Sequence, residues 1–310
     1  MKRILITLAA VVFSAGVISA QDMSQATEIA KTANESLQVG NNELALSGFK
    51  EALGIAAACG EDGAELVSTC KGIIPKIILS IAKGNLKEGQ FDVAVENLKE
   101  AAKAAGEYEV EGVADEANGL IPQAFMGKGN SLLKEKNFAE AAEAYKLAVD
   151  ADPANGNAAL RLGQALAGAG KIDEAVEAFK SAAENGQADN ANKQLSNIFL
   201  KKAQADLKAS KFKEAIADCE ASNGYVENAN AYKLAASAAN KLNDSKSAIG
   251  YYEKYLDIAP TAKDANQIAF TVGALYQKAG NNAKAKEFYQ KVVSDPQLGA
   301  QAKQLVESLK

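Results

Sequence analysis

Apolar and small residues return along this chain at helical spacing, and no segment alternates apolar with polar at period two over a useful length. Helices without strands are therefore expected. Two neighbouring blocks show the pattern most clearly, Phe125 to Pro153 and Ala159 to Gly186. Each reads as a helix, a short turn and a second helix.

Aligning these blocks on Ala141 and Ala175 brings out five further copies, anchored on Ala45, Ala94, Ala215, Ala248 and Ala285. Positions that played no part in choosing the anchors agree across the seven. Twelve residues before the anchors stand Ala33, Ala82, Gly129, Gly163, Ala203, Ala236 and Gly273, small enough for two helices to approach closely. Four residues after them come Phe49, Leu98, Tyr145, Phe179, Cys219, Tyr252 and Tyr289, mostly rings suited to the space between neighbouring hairpins. Five residues before them are Gly40, Gly89, Lys136, Gly170, Ser210, Asn243 and Gly280, where four glycines and an asparagine suit the left-handed residue that ends a helix. Three residues before them Phe91, Phe138, Ile172 and Phe212 form an apolar plug, which Asn42, Ser245 and Asn282 do not share. Pro153 and Pro260 stand where second helices close.

This pattern resembles the tetratricopeptide repeat family, a helix–turn–helix unit with small residues at the helix contacts and an aromatic in the second helix. The resemblance covers about residues 26–296 and implies an all-α fold, an α-solenoid coiled as a right-handed superhelix of about seven repeats. The anchor spacings of 49, 47, 34, 40, 33 and 37 residues place extra helix in the first two intervals. The motifs at Gly72–Lys76 and Gly119–Gln123 suggest the same insertion used twice. A stacked array needs polar ends; residues 297–310 supply a capping helix, with Leu298, Ala302, Leu305 and Leu309 on one face. Without a proline- or serine-rich linker, residues 21–310 read as a single solenoid.

The N-terminus changes the picture of where the chain works. Met1, Lys2 and Arg3 precede an uncharged run to Ala20, the form of a secretory signal peptide cleaved after Ala20. A membrane anchor is the rival reading, but Ile4–Ile18 falls short of the ~20 residues a spanning helix needs. Residues 1–20 are thus expected to direct export, leaving a periplasmic or secreted product without membrane insertion. Loss of Lys2 and Arg3 leaves 32 basic against 39 acidic residues, a net charge of −7. Nucleic acid is an unsuitable partner for that balance. Histidine is absent, which removes the usual general base and the commonest transition-metal ligand. No phosphate-cradling glycine loop is present. No cofactor, metal or catalytic residue is expected, and the chain reads as a non-enzyme.

The resemblance implies that protein or peptide partners lie along a concave groove lined by the first helices. Eighteen residues before the anchors, the last five repeats carry Gln123, Asn157, Asn197, Asn230 and Gln267, all primary amides; Thr27 and Lys76 break the series. An amide offers donors and an acceptor, which suits the backbone of an extended peptide. Helix capping or a solvated surface is the ordinary alternative. Asn130, Gln164, Gln204 and Ser237 extend the polar strip, and Lys134, Lys208, Lys241 and Lys278 close it near the helix ends, where a lysine also offsets the helix dipole. Family members that grip a C-terminal carboxylate use lysine, asparagine and arginine on these faces; Asn130 and Arg161 match parts of that arrangement, but Met126 replaces a lysine. The candidate groove residues are therefore the five amides with Asn130, Arg161, Gln164 and Gln204.

A catalytic or polysaccharide-binding protein on the same solenoid is the alternative. Sugar binding needs exposed aromatic platforms, whereas Tyr145, Phe179, Tyr252 and Tyr289 occupy core slots and only Tyr108, Tyr225, Tyr251 and Phe270 look free to serve. Of the three cysteines, Cys219 takes a core position. Cys59 and Cys70 are separated by roughly 9 Å of helix rise, beyond the ~7 Å that a disulfide spans unless the loop at Gly60–Gly63 closes the gap.

Overall fold

The computed structural model describes residues 20–309, so the proposed signal peptide lies outside the described residues apart from Ala20. The described part is helical throughout, with no strand. It divides into two compact units, unit 1 up to Asp152 and unit 2 from Pro153. Unit 1 contains three hairpins: α1 (Ala20–Gln38) with α2 (Asn42–Ala58), α3 (Ala64–Lys87) with α4 (Phe91–Glu107), and α5 (Val113–Lys134) with α6 (Phe138–Ala151). Unit 2 contains four: α7 (Gly156–Gly168) with α8 (Ile172–Ala182), α9 (Ala188–Lys208) with α10 (Phe212–Tyr225), α11 (Ala229–Lys241) with α12 (Ser245–Ile258), and α13 (Ala265–Lys278) with α14 (Asn282–Gln290). A closing helix α15 (Gly299–Ser308) packs on α14.

Every first helix ends in the same way. Gly40, Gly89, Lys136, Gly170, Ser210, Asn243 and Gly280 all have φ between 60° and 79°. In each case the left-handed residue donates its N–H three residues back and the next residue donates five back, as Gly170 does to Ala167 (3.2 Å) and Lys171 to Leu166 (2.9 Å). This pair of hydrogen bonds satisfies carbonyls that a helix end leaves open. The chain then reverses within three residues. Lys136 and Ser210 adopt the conformation despite their side chains, because the hydrogen bonds and the packing of both helices hold them there.

The second helices begin in two ways. Where the position three before the anchor is apolar, Phe91, Phe138, Ile172 and Phe212 tuck in partly buried, and no side chain caps the helix. Where it is polar, the preceding residue caps instead: Asn41, Asp244 and Asn281 accept from the N–H groups of Leu44 (3.3 Å), Ser247 (3.1 Å) and Lys284 (3.1 Å). The exceptions at Asn42, Ser245 and Asn282 thus accompany a different device for the same turn.

Small residues and rings meet as the sequence implied, but within a hairpin rather than between hairpins. A Cβ added to Gly129, Gly163 or Gly273 would lie 2.6 or 2.7 Å from the ring of Tyr145, Phe179 or Tyr289, each on the second helix of the same hairpin. These rings are 0–1% exposed, and burying one contributes about 1.5–3 kcal/mol. Phe91 does cross to the next hairpin, where it covers Gly127.

The extra residues of the early repeats form no separate helix. They lengthen α3 and α5 at their N-termini, through Pro75 and Pro122, nineteen residues before their anchors. The regular helices α7 and α11 begin at that same register, at Gly156 and Ala229. Proline therefore occupies what is elsewhere a first-turn position, where a missing N–H costs nothing, but here the helix continues upstream and the carbonyl four residues before each proline loses its helical donor. In α9 the register is taken by Ser196, buried against Ser222: the two hydroxyls lie 2.9 Å apart and Ser222 donates to the Ser196 carbonyl at 2.9 Å. All three cysteines are free thiols, and Cys70 and Cys219 are buried. At the C-terminal end Ala302 and Leu309 are buried and Leu298 and Leu305 pack on the same core, as the capping helix requires.

Candidate groove on the first helices

The strip on the first helices follows from helix geometry. Positions 18, 14, 11 and 7 before each anchor are spaced by four, three and four residues, so they fall on one face. In unit 2 this face carries Asn157, Arg161 and Gln164 on α7, Asn197 and Gln204 on α9, Asn230 on α11 and Gln267 on α13. All but the half-buried Gln164 are exposed. Gln123 and Asn130 occupy the corresponding face of α5 in unit 1 and are exposed too.

The amides are not caps. Asn155 caps α7 by accepting from Ala158 N–H at 3.0 Å, and Asn228 caps α11; Asn157 and Asn230 are the second helical residues, Gln267 is the third of α13, and Asn197 and Gln123 lie inside α9 and α5. No described residue hydrogen-bonds to the side-chain amides of Asn157, Asn197, Gln204, Asn230 or Gln267. Gln123 makes one long bond, to Gly119 O at 3.5 Å. Asn130 is partly committed, since its Oδ1 accepts from the Tyr145 hydroxyl at 2.8 Å. Gln164 Oε1 accepts from Arg161 at 3.2 Å, a bond along one helix that leaves four guanidinium donors open.

At α3, where Lys76 breaks the series, the strip meets neighbouring elements of unit 1. Lys76, Ser80 and Lys83 of α3 face the start of α5 across a cleft that includes Val113 and Glu116. Lys83 is paired with Glu116 at 2.6 Å and Ser80 accepts from Asn42 at 3.0 Å. The lengthened α5 therefore takes up the strip that stays open on the regular helices.

Lysines 134, 208, 241 and 278 lie in the last turns of α5, α9, α11 and α13, as expected. Lys233 of α11 is differently placed. It donates to Asp264 at 3.0 Å and lies over the Tyr255 ring. The Tyr255 hydroxyl and then the Lys233 ammonium hold Asp264 below the usual carboxylate range, while burial and the Asp264 carboxylate push Tyr255 up to about 12.

The aromatic residues considered for sugar stacking are all engaged. Tyr225 stacks on Phe199 with centroids 5.8 Å apart, Phe270 packs on Tyr289 at 5.1 Å, Tyr251 donates to Glu220, and Lys71 covers Tyr108. None is more than half-exposed. A cleft of 490 Å³ lies between α12, α13 and α14, and most of its charges are answered internally: Lys284 and Lys291 pair with Glu287 at 2.8 and 3.5 Å and Glu253 accepts from Tyr276 at 2.8 Å, which leaves Asp257. No group of acidic or cysteine side chains among the described residues is arranged to hold a metal ion, and no described helix is long and apolar enough to cross a membrane.

A tetratricopeptide repeat family model matches residues 79–155, 126–191 and 200–263, together more than half the chain, and a second model of the same description matches 267–294. The chain belongs to the tetratricopeptide repeat (TPR) family. Its hairpins are TPR units and its fold is an all-α TPR solenoid. No functionally curated protein matches it. Among solved structures it is similar to MamA protein, at 21% identity over 59% of this chain and 96% of that one, with a TM-score of 0.35. YrrB, described as a TPR protein with an unusual peptide-binding site, is 17% identical over 58% of this chain and 91% of its own, with a TM-score of 0.32. PilF of Pseudomonas aeruginosa is 15% identical over 62% and 84%, with a TM-score of 0.31. Likeness at these scores assigns the chain no function.

Proposed function

We propose that this TPR protein is exported to the cell envelope and works there as a non-catalytic scaffold, holding an extended polypeptide on the first-helix face of unit 2. The observation that carries the reading is the set of exposed amides, Asn157, Asn197, Asn230 and Gln267, on four successive first helices, none engaged as a cap or by another side chain. Capping, the strongest ordinary explanation for asparagine at these places, is already performed by Asn155 and Asn228. Each amide presents two donors and an acceptor, matching the N–H and C=O groups that an extended chain leaves unpaired along its edges. Such bonds contribute about 1 kcal/mol apiece, so several helices must act together. Export rests on Lys2, Arg3 and the apolar run Ile4–Ile18; Gln21 then begins the mature chain.

A photo-crosslinking amino acid at Asn197, compared with one at the exposed Glu214 on the second helix of the same hairpin, tests the face. Polypeptide adducts formed in the envelope fraction at Asn197 and not at Glu214 support the reading. Adducts at Glu214 alone would move the site to the opposite side. Retention of the protein in spheroplasts after osmotic shock would overturn export.

A further inference from the structure

The first-helix strip has a charge composition that a neutral peptide groove does not require. Over the four first helices of unit 2 it comprises sixteen positions: six amides, five cations (Arg161, Lys201, Lys208, Lys241 and Lys278) and no carboxylate. Unit 2 as a whole is nearly balanced, with 20 basic and 17 acidic residues over 153–310, so the strip is segregated from its surroundings. The corresponding strips of α1, α3 and α5 are also free of acids.

Helix dipoles do not account for this. They favour cations in the last turn, which covers Lys208, Lys241 and Lys278 but not Arg161 or Lys201, and they favour acids in the first turn. In unit 2 the helices α8, α9 and α10 follow that rule with Asp173, Glu174, Asp189 and Glu214, Asp189 lying off the strip, while α12 and α14 carry no acid there. The first helices α7, α11 and α13 have no acid in their first turns and carry Asn157, Asn230 and Gln267 on the strip there. Nor are the cations answered within the protein. Paired lysines of unit 2 include Lys171, Lys180, Lys202 and Lys284, whereas no described carboxylate pairs with any of the five on the strip.

We infer that the first-helix face of unit 2 selects an acidic extended segment of a partner polypeptide, an inference that rests on the groove reading above and specifies its ligand. Packed helices lie about 8–10 Å apart, and an extended chain advances about 3.3 Å per residue. A segment crossing α9, α11 and α13, between which the second helices pack, therefore meets Lys208, Lys241 and Lys278 in turn, at intervals of about three residues or more. Acidic side chains at that interval reach the lysines, and the backbone between them meets the amides. A polynucleotide is the poorer occupant, because the strip offers no aromatic face for its bases.

The test uses the mature protein and fluorescence anisotropy with three labelled nine-residue peptides: glutamate at every third position, glutamine in its place, and three contiguous glutamates. The spaced glutamate peptide is expected to bind at least roughly tenfold tighter than the glutamine peptide at about 0.1 M salt, with the advantage shrinking at about 0.5 M. Lys208→Glu/Lys241→Glu/Lys278→Glu abolishes that advantage, whereas Lys213→Glu/Lys246→Glu/Lys303→Glu, the same charge change away from the strip, does not. Equal binding of glutamate and glutamine peptides, with loss in Asn157→Ala/Asn197→Ala/Asn230→Ala, overturns the charge inference and leaves the groove standing. Indifference to both sets of substitutions overturns both. Tighter binding of oligothymidylate, or self-association abolished by the lysine reversals, assigns the face to another occupant and also overturns the inference.

Discussion

The helix-ending residue gives the sharpest test of how the repeats are built. Ser210 and Lys136 hold φ near 60°, are exposed, and make no side-chain hydrogen bond, so replacing either with glycine removes only the backbone penalty. A left-handed L-residue costs about 1–2 kcal/mol, and glycine's freedom in the unfolded chain returns roughly 0.4–1 kcal/mol of that. Ser210→Gly and Lys136→Gly should each stabilise by about 0.5–1 kcal/mol, a rise of about 2–3 °C in melting temperature for a chain of this class. Gly170→Ser should destabilise by a similar amount, since no atom stands near the added Cβ to complicate the comparison. Urea unfolding of the three variants beside the parent reads the sign directly. A lowered midpoint for both glycine variants would refute the claim that the seven turns share one strained position.

Three other outcomes are expected from the same packing. Gly163→Ala places a methyl 2.7 Å from the Phe179 ring and should cost about 1–3 kcal/mol against the ~1 kcal/mol helix gain, whereas Gly119→Ala, in open space, should keep the whole gain; equal effects in thermal melts would contradict the ring-on-glycine contact. Truncation after Pro296 uncovers the core beneath Ala302 and Leu309 and should give a chain that self-associates in sedimentation and melts earlier. Acid should weaken unit 2. The Ser247 hydroxyl and N–H hold Asp244 low, the Tyr255 hydroxyl does so for Asp264, and the Leu298 N–H with Asn266 does so for Asp295. Their contribution is complete above the ordinary carboxylate range and drains as pH falls through the lowered values. At the alkaline end Tyr255 and Tyr276, raised from 10.0 to about 12, add stability below pH 10 that is lost as pH rises through 12. A flat profile across either window would count against these pairings.

Much of this architecture is legible in the residues. Glycine and asparagine five before the anchors mark the end of each first helix because few other residues accept a positive φ, and the structure extends the rule to Lys136 and Ser210, where residue type gives no hint. The extra helix expected in the first two intervals is found as upstream extensions of α3 and α5. What the residues do not tell is that the helix runs through Pro75 and Pro122, each of which lacks the N–H that an interior helical residue donates. The placement of the rings was legible only to the level of small meeting large; that Tyr145, Phe179 and Tyr289 lie on the glycines of their own hairpins is seen in the structure alone. At the candidate groove, residue type alone left capping and binding open for Asn157 and Asn230. The structure removes capping for these two, because the caps are Asn155 and Asn228, two residues earlier. The shortage of acids along the strip was readable from the first, but only once positions 18, 14, 11 and 7 were recognised as one helix face.

On the proposed function, the amides of unit 2 bind a partner and do not serve the fold. Asn157→Ala/Asn197→Ala/Asn230→Ala tests it, with a melting curve and a binding titration against the polypeptide crosslinked at position 197 measured on the same preparation. Loss of one or two hydrogen bonds per residue at about 1 kcal/mol each predicts an affinity weakened by roughly a hundredfold or more, with the melting temperature close to the parent's. Unchanged affinity accompanied by a melt several degrees lower would contradict the claim and return these asparagines to a structural role.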